Sequence, residues 1–265
     1  MNKDVYAVVT GASSGIGKAI AYKLAVMNFN LILHSLPDQG LENYCDELVS
    51  TFKIKALHYE GDLTASNGPE SFYEYVRNEG CPVAILVNNA GIGFEGPIDT
   101  YSPGQIDNMI LLNIRALTLL TFYFISELKK YEKSYILNIS SFGCYLPTAY
   151  KSIYLASKSY IYYFTRALES ELTGTNLQTC VVIPAAVRTN KVVLDRIARN
   201  GWFSEKSALN PEEVAIRGLE GMFKGRKVII PGLLTNLFFY TGLFLPQGII
   251  LLITRHIFRN YRQIV

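Results

Sequence analysis

The sequence predicts a three-layer α/β fold: a doubly wound, seven-stranded parallel sheet with helices on both faces. Three observations carry this. Short apolar runs alternate with helix-length stretches over most of the 265 residues. The first run ends directly in a glycine-rich turn that opens a helix. Polar residues collect just past the ends of the later runs, which is where open parallel sheets bind ligands.

In chain order, residues 5–10 form a β-branched apolar run of strand length, followed by Thr10-Gly11-Ala12-Ser13-Ser14-Gly15-Ile16-Gly17 and a helix over residues 18–25. Small residues there let the backbone approach a pyrophosphate, and the first helical N–H groups favour that anion. The spacing is Gly-x-x-x-Gly-x-Gly rather than Gly-x-Gly-x-x-Gly, and an ordinary tight turn is the competing reading. Leu31-Ile32-Leu33 with His34 and Ser35 reads as the second strand. Residues 53–59 read as the third, with Asp62 just beyond, and Ala84-Ile85-Leu86-Val87 as the fourth, running into Asn88-Asn89-Ala90-Gly91. A helix over about residues 103–131 contains Asn113. The fifth strand, residues 135–139, delivers Ser140 and Ser141. A second long helix, about residues 152–173, carries Tyr154 and Lys158. The sixth strand, residues 177–183, ends at Pro184. Asn210-Pro211-Glu212-Glu213 is a helix start, with an N-cap, a first-turn proline and two acids. Val228-Ile229-Ile230 is a seventh strand.

Tyr154 and Lys158 are four residues apart, which places them on one helical face. Free tyrosine, with a pKa of about 10, carries protons poorly at neutral pH. A neighbouring ammonium favours the phenolate, and a shift of about three units needs roughly 4 kcal/mol of differential interaction. A hydroxyl at Ser141 is suited to holding a substrate oxygen near the phenol. Tyr-x-x-x-Lys alone is weak in so tyrosine-rich a chain. Tyr160, Tyr162 and Tyr163 on the same helix read as packing or interface residues, and its position relative to Ser141 and the glycine turn distinguishes Tyr154.

These residues resemble the short-chain dehydrogenase/reductase family, through Thr10-Gly11-x-x-x-Gly15-x-Gly17, Asn88-Asn89-Ala90-Gly91, Asn113, Ser141, Tyr154 and Lys158, over roughly residues 5–231. The resemblance implies a Rossmann fold and an NAD(P)-dependent oxidoreductase moving hydride between a nicotinamide and a carbonyl or secondary alcohol. It makes Tyr154 the general acid or base. Lys158 lowers the pKa of Tyr154 and binds the nicotinamide ribose, and Ser141 orients the carbonyl. Asn113 holds a water in the proton relay; bonding to backbone is the plainer alternative for that asparagine. The implied cofactor site comprises Gly11, Ser13, Ser14, Gly15, Ile16, Gly17, Ser35, Asp62, Asn89, Ala90, Gly91, Tyr154, Lys158, Pro184 and Thr189. It also implies a substrate lid over about residues 185–209 and homodimers or homotetramers paired through the two long helices. The chain departs from the family at Pro184-Ala185-Ala186-Val187-Arg188-Thr189, where the family has Pro-Gly. Alanine avoids positive φ, so either the turn does not need it or the loop follows another path.

The second strand ends in Ser35 and Leu36, with no carboxylate until Asp38, and His34 and Ser35 could both bond a phosphate; the sequence therefore favours NADP over NAD. Apolar lid residues Val192, Val193, Leu194, Ile197, Trp202 and Phe203 fit either an apolar substrate or ordinary helix packing. A nicotinamide-binding sensor or scaffold without turnover is the alternative to an enzyme.

Residues 1–231 read as the dinucleotide-binding and catalytic domain and 232–265 as its apolar, basic-ended extension. Residues 228–254 carry no charge, and Arg255, Arg259 and Arg262 follow with no acid among them. Three readings of this tail stay open: a cap over the pocket or an oligomer contact, a segment lying in a membrane interface, or a span interrupted by Pro231 and Pro246. The net charge of +3 argues against nucleic acid. Four scattered cysteines and three separated histidines predict free thiols, a reducing compartment and no metal. With no leader-like N-terminus, the expected location is cytoplasmic, with membrane association open.

Overall fold

The computed structural model describes residues 4–189, 191–199, 201–242 and 245–257. Its seven strands are β1 (Tyr6–Thr10), β2 (Asn30–Ser35), β3 (Ala56–Glu60), β4 (Val83–Asn88), β5 (Ser134–Ile139), β6 (Leu177–Val182) and β7 (Val228–Ile229). All neighbours pair in parallel, in the order β3-β2-β1-β4-β5-β6-β7. The winding reverses between β1 and β4, which opens a crevice above the carboxyl ends of these two strands.

Both sheet faces are covered, which is why the strands read as nearly unbroken apolar runs. On one face Ala7, Val9, Leu31, Leu33, Ile85 and Val87 pack with α1 (Gly15–Val26), α2 (Leu41–Phe52) and α9 (Pro211–Phe223). On the other, Val8, Ile32, Leu86 and Ile136 pack with α3 (Gly68–Asn78), α5 (Leu117–Leu128) and α6 (Ser152–Glu171). Phe72 and Phe124 are completely buried on that side. Each contributes about 3 kcal/mol through burial alone.

Four boundaries differ from the sequence reading. Lys53 is not in β3; it caps α2 in the left-handed conformation, φ 56°. The long helix over residues 103–131 is α4 (Pro103–Ile110), a π-helical turn over Leu111–Ala116, and then α5. Serine and glutamine at Ser102 and Gln105 start it with a reciprocal capping box. The segment expected to form a lid contains α7 (Lys191–Arg199) and α8 (Gly201–Ser207). The tail forms two short helices, α10 (Leu233–Gly242) and α11 (Gln247–Ile257). At 1.5 Å per residue each is only about 15–17 Å long, half of a hydrocarbon core, so the spanning reading fails for the described tail. Arg259 and Arg262 lie outside the described residues. Among the described residues one helical stretch, Pro103–Leu128, is long and apolar enough to cross a bilayer. It is a core helix here, with Leu117, Leu120, Phe124 and Leu128 buried.

Candidate active site at the switch point

The glycine turn is braced from below by β4. Thr10 Oγ1 accepts the backbone N–H groups of Asn89 and Ala90, both at 3.0 Å. Asn89 Nδ2 donates to the carbonyls of Thr10 and Gly11 at 2.9 and 3.0 Å. Gly11 and Gly15 are left-handed, φ 65° and 55°. A Cβ on Gly17 would stand 2.1 Å from the Gly11 carbonyl oxygen. Ser14 caps α1 without a side-chain bond, and no acid occupies the first turn. The turn therefore presents a positive helix end with no side-chain cap and no acid in its first turn, which fits a dinucleotide pyrophosphate.

The other predicted cofactor residues lie at the end of β2, on α6 and on the loops that follow β3, β4 and β6. Thr189 lies directly over the glycine turn: a Cβ on Gly15 would meet Thr189 Cγ2 at 3.0 Å. The loop bearing Thr189 is pinned by Arg188, whose N–H bonds the Leu209 carbonyl at 2.9 Å and whose Nη1 bonds the Ala208 carbonyl at 2.6 Å. Pro184 receives the Phe142 N–H at 2.8 Å. Ala185 is not among the left-handed residues, so this turn does without the glycine that the family uses. At the far end, Gly61 N–H donates to the Ser35 carbonyl at 2.9 Å, which sets the end of β3 and Asp62 beside the end of β2. Asp62 accepts Thr64 N–H and stays exposed.

One expectation at this end is corrected. His34 does not face the crevice. Alternation along β2 turns it to the opposite side from Ser35, against Phe72 and Tyr59, and Nε2 donates to the Gly61 carbonyl at 3.0 Å. Burial pushes its pKa down to about 4, so it is a neutral core residue and no phosphate ligand.

Lys158, Tyr154 and Asn113 lie around the loop that follows β4, and Lys158 also reaches the end of β5. Ser140, buried at the end of β5, donates to the Lys158 carbonyl at 2.7 Å and fixes α6 to the sheet; Ser141 follows with its side chain partly exposed. Lys158 Nζ donates to the Ile139 carbonyl at 3.0 Å and lies 5.9 Å from the Tyr154 ring centroid. Burial lowers its pKa to about 8, which still leaves the charged form favoured at pH 7. Gly91 gives this ammonium room, since a Cβ there would stand 3.3 Å from Nζ.

Asn113 sits in the π-helical turn and is buried. Its Oδ1 accepts Ile92 N–H at 2.9 Å, and its Nδ2 donates to the Ile92 carbonyl at 2.8 Å and to Ser157 Oγ at 2.9 Å. Its side chain thus takes the backbone-bonding role that the sequence left open and braces the Gly91 loop against α6. Ser157, which the sequence reading missed, passes the brace on by donating to the Tyr154 carbonyl at 2.7 Å. Its only signal was an i+3 position after the tyrosine. Tyr160 shares a hydrogen bond of 2.9 Å with Thr118 Oγ1.

A family model described as short chain dehydrogenase matches residues 5–196. The chain is 31% identical over 213 residues to an uncharacterized oxidoreductase of Staphylococcus epidermidis, covering 80% of this chain and 88% of that one. It is 31% identical over 192 residues to a very-long-chain 3-oxoacyl-CoA reductase of Scheffersomyces stipitis, covering 68% of this chain but 55% of that protein. Among solved structures, a short-chain dehydrogenase from Sphingobium yanoikuyae in complex with NADPH superposes with a TM-score of 0.77 at 26% identity, covering 92% of this chain and 94% of that one.

Proposed function

The chain belongs to the short chain dehydrogenase family and is an NAD(P)-dependent oxidoreductase, and on that premise we propose that Tyr154 carries the proton, with Lys158 and Ser141 beside it. The observation that supports this most is the buried Lys158 ammonium, one turn along α6 from Tyr154 and in contact with the end of β5. A charge held there favours the phenolate over the phenol. When bound, the nicotinamide supplies or accepts the hydride. In reduction the Tyr154 hydroxyl gives its proton to the substrate oxygen; in oxidation its phenolate takes that proton. Ser141 donates a hydrogen bond to the same oxygen and orients the carbonyl. Asn113 and Ser157 act by position, holding the Gly91 loop and the Tyr154 turn at fixed separation.

Gly11, Ser13, Ser14, Gly15, Ile16 and Gly17 take the pyrophosphate. Ser35 and Asp62 take the adenosine end; Asn89, Ala90, Gly91, Pro184 and Thr189 take the nicotinamide end. NADP is the preferred form, because no carboxylate stands at the end of β2 to repel a 2′-phosphate. With His34 turned inward, that preference rests on Ser35 and its neighbours. NADPH bound to the Sphingobium relative agrees with it.

The substrate is an apolar ketone or secondary alcohol, covered by α7 and α8 as a lid over about residues 185–209. Exposed Leu194 and Trp202 on that lid support this, as does the substrate in the name of the Scheffersomyces relative. Residues 232–265 form an extension of the one domain. Exposed Phe122 on α5 and Tyr163 on α6 suit homodimer pairing through these helices. The apolar tail lies against a membrane surface on the cytoplasmic side.

The deciding experiment follows NADPH oxidation over a panel of long-chain, aromatic and steroid ketones with wild type and Tyr154→Phe. Turnover in the wild type, at least 1,000-fold lower in Tyr154→Phe with NADPH affinity within about threefold, is the expected result. Unchanged turnover in the variant removes Tyr154 from its role. Tight NADPH binding without turnover on any ketone favours a sensor instead.

A further inference from the structure

Between Gly91 and α4 the chain passes residues 92–97, and these touch the start of α6 at three places. A Cβ on Gly93 would stand 2.6 Å from Tyr154 Cδ2, so the tyrosine ring lies directly on the Gly93 backbone. Gly96 N–H donates to the Tyr150 carbonyl at 2.8 Å. Between these two, Lys151 Nζ bonds Glu95 Oε1 at 2.7 Å, with side chains only 14% and 8% exposed. No other ion pair among the described residues has both partners so well covered.

We propose that Glu95 and Lys151 are positioning residues that clamp the 92–97 segment to the start of α6 and so hold the Tyr154 ring in register with the site. This rests on Tyr154 being the proton carrier. Tyr150, immediately before the clamp, is left-handed, φ 64°. An aromatic residue keeps that conformation only where its surroundings impose it. The Gly96 bond on its carbonyl and the ion pair on the next side chain do so. Lys151 also occupies the N-cap position of α6, and its carbonyl accepts the Leu155 N–H at 2.9 Å. The pair thus sets where the helix begins, and Tyr154 lies in its first turn. A covered ion pair adds little net stability over an apolar pair of the same shape. Its directional, short contact does fix a distance, and a reacting group displaced by about 1 Å can lose about 100-fold in rate.

The test uses NADPH and whichever panel ketone wild type reduces fastest. Glu95→Gln is expected to lower kcat about 10- to 100-fold, with ketone KM and NADPH Kd within about threefold. The reversed pair, Glu95→Lys with Lys151→Glu, is expected to recover at least about tenfold of that loss. A crystal structure of Glu95→Gln is expected to show the ring withdrawn from Gly93. A kcat within twofold of wild type, a reversed pair no better than the single variant, or a ring unmoved from Gly93 overturns the clamp. If Tyr154→Phe is inactive while Glu95→Gln is unimpaired, only the clamp falls. If Tyr154→Phe stays active, the site assignment falls and the clamp with it.

Discussion

Lys158 Nζ donates to the backbone carbonyl of Ile139 at 3.0 Å, and burial lowers its pKa from 10.5 to about 8. Folding therefore works against this charge. Below pH 8 the lysine is protonated in both states, and the folded state carries a penalty of about 3 kcal/mol. Between pH 8 and 10.5 the unfolded chain binds more protons than the folded one, so wild-type stability rises with pH and the penalty disappears. Lys158→Met is expected to be inactive yet more stable than wild type by ~1–3 kcal/mol at pH 7, the lost hydrogen bond offsetting part of the gain. The difference should narrow as pH approaches 10.5. Urea denaturation of both proteins at pH 7 and 10 checks this, and a difference that does not change with pH refutes it.

Gly17 faces the Gly11 carbonyl and the Asn89 amide, which a Cβ would approach to 2.1 and 2.4 Å. Neither can yield easily, because Asn89 Nδ2 is bonded to both the Thr10 and Gly11 carbonyls. Gly17→Ala must move the phosphate-binding turn. NADPH affinity measured by fluorescence titration is expected to fall at least about 100-fold, together with a loss of thermal stability. Affinity within twofold of wild type would mean that pyrophosphate binds elsewhere.

Ser35 closes β2 and is buried, with its hydroxyl donating to the Leu36 carbonyl at 2.8 Å. Ser35→Asp places a carboxylate where a 2′-phosphate would lie and offers an acceptor to ribose hydroxyls. The ratio of NAD to NADP affinity is expected to rise at least about tenfold, a change of about 1.4 kcal/mol. Dissociation constants for both cofactors with both proteins decide it, and an unchanged ratio moves the selecting contact away from the end of β2.

The sheet and glycine cradle were legible because their signals are local. An apolar run of strand length and glycines in a strand–turn–helix context need no tertiary knowledge. His34 was misplaced because periodicity gives alternate faces without saying which face holds the cofactor; only the packing of Phe72 and Tyr59 decides. The π-helical turn at Leu111–Ala116 leaves no mark in hydrophobic spacing, so α4 and α5 read as one helix. Lys53 looked like strand because its left-handed φ replaces a glycine at the helix end. Ser157, Glu95 and Lys151 were invisible for a different reason: each matters through a partner distant in sequence, Asn113 for the first and one another for the last two.

The tail exposes apolar side chains that a water-facing surface rarely gathers: Leu233 at 87%, Leu252 at 69% and Leu237 at 61%. No acid follows Glu220, whereas Lys224, Arg226, Lys227 and Arg255 do. That combination suits anionic lipid, with leucines in the acyl boundary and basic residues at head groups worth about 1 kcal/mol each. α10 and α11 are too short to cross, so contact is expected to be peripheral and weakened by salt. Wild type is expected to float with phosphatidylserine-containing vesicles at low salt and less so at 0.5 M salt (about a threefold shorter screening length than at 0.05 M). Leu237→Glu with Leu252→Glu removes two apolar anchors worth about 1.5–3 kcal/mol each when fully inserted and adds repulsive charge. Partitioning is expected to drop at least about tenfold, while reduction of a short, water-soluble ketone stays unchanged because neither side chain belongs to the site. Flotation equal in wild type and variant moves the lipid contact off this surface, and flotation absent in both removes it.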